Sequence, residues 1–162
     1  MLQRHLPGVA ALRDVTPDDL AQFGDGLPDL VHRRVRHVVH ENVRVIAFAD
    51  ILRRRSLPSP PYLSKDDLAA AGVLMNDSHI SLRDDYEVSG DELDALVEAA
   101  WAAPGVYGSR MTGAGFGGCT VSLVASDAVE AFSQSVRDAY EAQTGLTPQI
   151  YVSRPSQGVD EL

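Results

Sequence analysis

A single cysteine in 162 residues, Cys119, has no partner for an internal disulfide and fits a reducing compartment. No apolar run approaches the length needed to cross a bilayer, and Met1–Pro7 lacks the apolar stretch of an export signal. A cytoplasmic location with no membrane partner is the expectation. Positive charge is also scarce: 14 Lys and Arg face 23 Asp and Glu, a formal charge of −9. Such a surface repels phosphate backbones and anionic lipids unless its basic residues cluster, so nucleic acid is not an expected partner. There is no internal repeat and no low-complexity segment. What remains is 44% hydrophobic and 23% charged residues, the mix of a soluble globular protein, in a length that suits one domain.

The spacing predicts helices first and strands later. Thr16 caps a short helix with Pro17 at its first position, and Gly24, Gly26 and Pro28 end it. A long helix is expected from Asp29 to about Arg54. Its apolar stripe runs through Val31, Val35, Val38, Val45, Ala49 and Leu52, widened by Val39, Val43 and Ile46 and interrupted by Asn42. Arg53–Arg55 complements the negative end of that helix. Pro58, Pro60 and Pro61 break the chain. Ser64 then caps a helix with Asp67 at its third position, and Leu68, Leu74, Met75 and Leu82 are core candidates. Ser89 and Glu92 form a second capping box, ahead of Leu93, Leu96, Val97 and Trp101 at helical spacing; Pro104-Gly105 stops that helix. Gly108–Thr112 and Cys119–Ala125 read as strands, Asp127 to about Thr144 as a helix, and Pro148–Ser153 as a closing strand. Helices, a glycine-loop hairpin, a helix and a final strand give an α+β class.

Between the two strands lies Gly113-Ala114-Gly115-Phe116-Gly117-Gly118. Glycines 113, 115 and 118 match a dinucleotide fingerprint in letters but not in context, because that fingerprint must open a helix and this loop opens a strand. No Gly-Lys-Ser or Gly-Lys-Thr follows, so it is not a P-loop. Four glycines in six residues still allow positive φ and a close approach to a ligand or to other backbone. The residues alone leave two readings open, a ligand cradle and a plain hairpin turn.

Other constellations carry less chemistry. His37, His40 and Glu41 miss the zinc-protease spacing because position 44 is Arg44, and they read as surface or interface histidines. Arg33, Arg34, Arg36 and Arg44 form a basic strip without interleaved aromatics, so a solvated face or a seam to acidic partners is expected. Ser78, His79 and Asp84-Asp85 do not make a triad, since adjacent helical side chains diverge and no nucleophile elbow is present. The polar density at Arg83-Asp84-Asp85 suggests a salt-bridged or interface role. Cys119 lacks an identifiable His partner and reads as a small buried residue.

Several segments together resemble the C-terminal part of galactokinases, within the GHMP small-molecule kinase superfamily. They are Ala11–Val15, Arg34–Val38 with Glu41-Asn42, Leu74–His79, Leu82–Val88, Gly108–Cys119, Tyr151-Val152 and Pro155–Gly158. The matches occur in family order and cover nearly the whole chain. The resemblance implies a ferredoxin-like α+β domain, an antiparallel sheet with packed helices, over 29–162, with 1–28 as an incomplete N-terminal edge. It also implies ATP-dependent phosphorylation of the anomeric hydroxyl of galactose. The glycine loop would be the family's third motif, closing on the nucleotide phosphates through Gly113, Ala114, Gly115, Phe116, Gly117 and Gly118, with Ser109, Arg110 or Thr112 nearby.

The chain departs from the family pattern in several ways. Ala114 stands where the family has glycine, and Pro58–Leu63 is longer than the usual connection. The family's first and second motifs and its base Asp are absent. No residue here is therefore assigned to catalysis or to a metal; ATP and Mg would be bound mainly by a missing N-terminal half, and the chain alone is expected to be inactive. That would make it a fragment, a truncated gene product or an isolated domain. Alternatives are a non-catalytic sugar and ATP sensor, another GHMP kinase, or a stand-alone ferredoxin-like binding module.

Overall fold

The computed structural model describes residues 2–53 and 63–154. Arg54-Arg55, the Pro58–Pro61 break and Pro155–Gly158 lie outside the described residues. Helix α1 (Pro17–Phe23) starts at Thr16, whose hydroxyl accepts the Asp19 amide at 3.1 Å while Asp19 Oδ2 accepts the Thr16 amide at 2.9 Å. Helix α2 (Asp29–Arg53) follows, then α3 (Lys65–Ser81), capped reciprocally by Ser64 and Asp67. Helix α3 does not stop at Ser81. It widens into a π-helical turn, Leu82–Tyr86, ended by Glu87 in the left-handed region at φ 55°. Helix α4 (Asp91–Ala102), strands β1 (Val106–Thr112) and β2 (Cys119–Val124), and helix α5 (Val129–Thr144) complete the order.

Two apolar clusters hold these elements. Leu2, Val15 and Leu20 pack on Val35 and Val39 of the first half of α2. Ala99, Ala100 and Ala103 of α4 meet Phe132 and Val136 of α5. The class is α+β, with helices packed on an antiparallel sheet. Among the described residues that sheet has two strands, β1 and β2, in register from Thr112 opposite Cys119 to Gly108 opposite Leu123.

Strand β1 sits against α3 because two glycines face each other. A Cβ on Gly72 would lie 1.9 Å from the Tyr107 carbonyl oxygen, and one on Gly108 would lie 2.2 Å from the Gly72 carbonyl oxygen. Real Cβ contacts never come so close, so this backbone-to-backbone seat exists only without side chains.

Several expectations are corrected. The second half of α2 is uncovered: Val43, Val45, Ile46 and Leu52 are exposed, as is Val31, while Ile51 is buried. Periodicity marks an apolar face but does not supply the element that covers it. His37 is buried, not on the surface. Residues 148–153 form no strand, since they pair with no neighbour in the ladder. Gly90, not Ser89, caps α4, because the Ser89 hydroxyl is turned to Asp94 Oδ1 at 2.5 Å. Cys119 is exposed, at the point where β2 leaves the loop.

Candidate functional site

The stem of the hairpin is held by hydrogen bonds to buried groups. Ser109 is fully buried; its amide donates to Asn76 Oδ1 at 2.9 Å, its hydroxyl meets that of Ser122 at 2.8 Å, and its carbonyl accepts Trp101 Nε1–H at 3.1 Å. The Met111 amide donates to Nδ1 of His79, itself fully buried and edge-on to Trp101. Accepting at Nδ1 requires the Nε2–H tautomer. Asp94 Oδ1 lies 3.2 Å from Nε2, outside hydrogen-bond alignment. Burial holds His79 below its ordinary value of 6.5, against the pull of Asp94.

Beside the stem, Glu41 joins three elements. Its carboxylate accepts from Ser78 of α3 at 2.6 Å, Arg44 of α2 at 2.8 Å and Arg110 of β1 at 3.2 Å. Burial alone would raise its pKa, but these bonds and the two guanidinium charges outweigh it and hold the carboxyl low. Nearby, His37 Nδ1 meets the Ser81 hydroxyl at 3.0 Å, and its ring stacks on Tyr86. Burial lowers its pKa as well. Arg36 pairs with Asp85, so the basic strip is an internal seam to the acidic turn after α3. Ser78 and His79 diverge to different partners, as adjacent helical positions must.

The tip is the reverse of the stem. Gly113, Gly115, Gly117 and Gly118 have φ of 93°, 86°, 132° and 117°, and Phe116 joins them at 59°. Ala114 is the one loop residue without positive φ, so its methyl group costs no backbone strain there. Among the described residues, the one backbone bond made by 113–118 outside the ladder is Phe116 N–H to the Val88 carbonyl, 2.7 Å. Gly115 lies flush against the same group; a Cβ there would sit 2.2 Å from the Val88 oxygen. Beyond Gly113, Gly117 and Gly118 a Cβ would meet nothing within 4 Å. The Phe116 side chain is 76% exposed. Runs of backbone N–H groups in turn conformations are a general means of meeting anions, and the amides of Gly113, Gly117 and Gly118 make no backbone bond outside the ladder among the described residues.

The structure thus places the six loop residues together at the end of the hairpin, with Gly115 and Phe116 held against Val88 and Gly113, Gly117 and Gly118 open. Of the polar residues beside the loop, Ser109 and Arg110 are consumed by the stem, and Thr112 alone is exposed. Sequence reasoning missed Val88, Glu87, His79 and Glu41 as the loop's supports; the complementary charges of 33–36 and 84–87 were the available signal. No group of three or more His, Cys, Asp or Glu is placed to hold a metal among the described residues. No described helix is long and apolar enough to cross a membrane.

A family model described as "GHMP kinases C terminal" matches residues 61–142, just over half of the chain. The chain is 49% identical over 158 residues to a galactokinase of Roseiflexus sp. (strain RS-1), covering 98% of this chain and 38% of that protein. It is 43% identical over 155 residues to a galactokinase of Bacillus subtilis (strain 168), covering 95% and 37%. The solved structure of Lactococcus lactis galactokinase complexed with galactose superposes with a TM-score of 0.77 at 36% identity, over 90% of this chain and 35% of that one. The chain therefore spans a little over a third of the length of these relatives. By the family model, by these identities and by the shared fold, it belongs to the GHMP kinases, carries that family's C-terminal domain, and is similar in this part to the galactokinases.

Proposed function

We propose that this chain supplies one wall of the nucleotide cleft of an ATP-dependent galactose kinase, with the glycine loop facing the phosphates. What supports this reading is the left-handed backbone at Gly113, Gly117 and Gly118, with open space where their side chains would stand and, among the described residues, no backbone bond from their amides outside the ladder. Phosphoryl transfer rests on positioning and on stabilising charge that spreads over the phosphate oxygens. Fixed backbone N–H groups do this without reorganising, and they carry no side chain that could block the phosphates. Gly113, Gly117 and Gly118 face the nucleotide, Phe116 is fixed by Val88, and the exposed Thr112 hydroxyl is the side-chain donor at the rim.

The galactose in the Lactococcus lactis complex supports galactose as the sugar. Magnesium would neutralise the phosphates, and it is held with ATP mainly by residues outside this chain. The grip on the sugar and the base for its hydroxyl also lie outside it. Losing such positioning removes several powers of ten in rate. The chain alone then makes no galactose 1-phosphate from galactose, ATP and magnesium above a no-protein control. Adding the matching N-terminal half as a separate polypeptide restores turnover. Activity from the chain alone, or none from the mixture of two folded halves, contradicts the proposal.

A further inference from the structure

We propose that Arg33, Arg34 and Glu87 are positioning residues for the glycine loop: they lock the turn that presents the Val88 carbonyl, and that carbonyl fixes the loop through Phe116. This rests on the reading of 113–118 as the phosphate wall. Among the described residues only two that are not glycine have positive φ, Glu87 and Phe116. They flank a single hydrogen bond, Phe116 N–H to the Val88 carbonyl. Left-handed backbone is costly for any side chain with a Cβ and persists where the surroundings impose it, commonly at functional sites.

The surroundings of Glu87 are specific. Its carboxylate takes Arg33 on one oxygen and Arg34 Nη2 on the other, the latter at 2.5 Å. Arg33 Nη1 also donates to the Asp84 carbonyl at 3.1 Å, and Arg34 Nη1 donates to the Asp85 carbonyl. Two adjacent residues of α2 thus grip the carboxylate of the turn and two of its carbonyls. A lone exposed ion pair contributes little, but a network that also caps backbone carbonyls restricts a turn. The Leu82 carbonyl accepts the amides of both Glu87 and Val88, so the turn ends as one unit. Gly115 leaves little slack beside it, since a Cβ there would lie 2.2 Å from the Val88 oxygen and 3.1 Å from its carbonyl carbon and its Cβ. Any shift of Val88 is therefore passed to the loop. The bulged turn after α3 fits this role, since π-helical turns concentrate at functional sites.

The test uses a complete galactose kinase carrying this domain, with Glu87→Ala, Glu87→Gly and the double variant Arg33→Ala/Arg34→Ala. Glu87→Gly keeps the left-handed turn without the carboxylate and so separates the ion pair from backbone strain. Two quantities are read: hydrogen exchange of the Phe116 amide, and KM for ATP beside KM for galactose. All three variants are expected to raise Phe116 exchange roughly tenfold or more, the signature of a local opening. KM for ATP should rise several-fold while KM for galactose stays unchanged. Combining Glu87→Ala with the arginine variant should add nothing further, because the partners act as a unit. Unchanged Phe116 exchange in Glu87→Ala overturns the proposal, whatever ATP does. Faster exchange with unchanged KM for ATP supports the lock and overturns the phosphate-wall reading instead. If Glu87→Ala does not fold, Glu87→Gln, which removes only the charge, carries the same two readouts.

Discussion

The stem of the β1–β2 hairpin has one glycine, Gly108, and the tip has four, and the two places use glycine for opposite purposes. In the stem, Gly108 meets Gly72 so that two backbones touch, and the buried Ser109 beside them is hydrogen-bonded through its amide, hydroxyl and carbonyl. At the tip, Gly113, Gly117 and Gly118 have left-handed backbone, a Cβ on any of them would meet nothing within 4 Å, and among the described residues their amides make no backbone bond outside the ladder. Glycine in the stem serves packing, and its loss is felt by the whole fold. Under the proposed function, glycine at the tip serves the nucleotide, and its loss is felt in nucleotide use rather than in the fold. Between them, Gly115 and Phe116 tie the tip to the turn after α3.

Breaking the stem has the largest expected effect. Gly72→Ala places a methyl group 1.9 Å from a backbone oxygen, so α3 and β1 must separate. The destabilisation is roughly 3 kcal/mol or more, at the upper end of overpacking costs. For a chain of this size that lowers Tm by about 10 °C. Gly26→Ala is the control, because a Cβ there meets nothing within 4 Å and its φ is not positive. Thermal unfolding followed by circular dichroism separates the two; equal Tm values would show that the α3–β1 contact is loose.

A smaller effect comes from titrating the stem. Burial sets His79 and His37 below 6.5 in the folded chain. As pH falls through 6.5 the unfolded chain binds protons that the folded chain resists, so stability is full above that value and declines below it. Protonated His79 can no longer accept from Met111 at Nδ1, which loosens the stem rather than the tip. Tm measured between pH 7.5 and 5 should fall less steeply in His79→Gln than in the unaltered chain. Parallel slopes would remove His79 as the acid-sensitive point. Glu41 and Asp85 are held low, so their contribution persists until the pH drops below about the ordinary carboxylate range.

Much of this arrangement was legible in the sequence, and the exceptions have physical causes. Local chemistry was readable: the caps at Thr16 and Ser64, the strands around the loop and the loop itself depend on neighbours within a few residues. Tertiary coverage was not. The stripe of α2 runs past Val39 into Val45, Ile46 and Leu52 without a change of pattern, yet only the first half is covered by residues 2–27. His37 and Ser89 were misread for a related reason. Their partners, Ser81 and Tyr86 for one and Asp94 for the other, come from side-chain meetings that no spacing rule encodes. At the candidate site the six loop residues were visible from glycine content. The supports at Glu87 and Val88 were visible only as charge complementary to the arginine strip.

The contrast between stem and tip is tested most directly by Gly117→Val in a complete enzyme carrying this domain, with Ser153→Val as a reference substitution on the exposed C-terminal segment. Gly117 has φ 132°, a conformation that a β-branched residue does not adopt, so the rim must open locally. Tm and kcat/KM for ATP are measured side by side. A fall in kcat/KM of roughly a hundredfold, the scale of losing a preorganised backbone donor, with Tm close to that of Ser153→Val, is the predicted result. Equal and small effects on kcat/KM at both positions would contradict it, because the glycine tip would then be an ordinary turn.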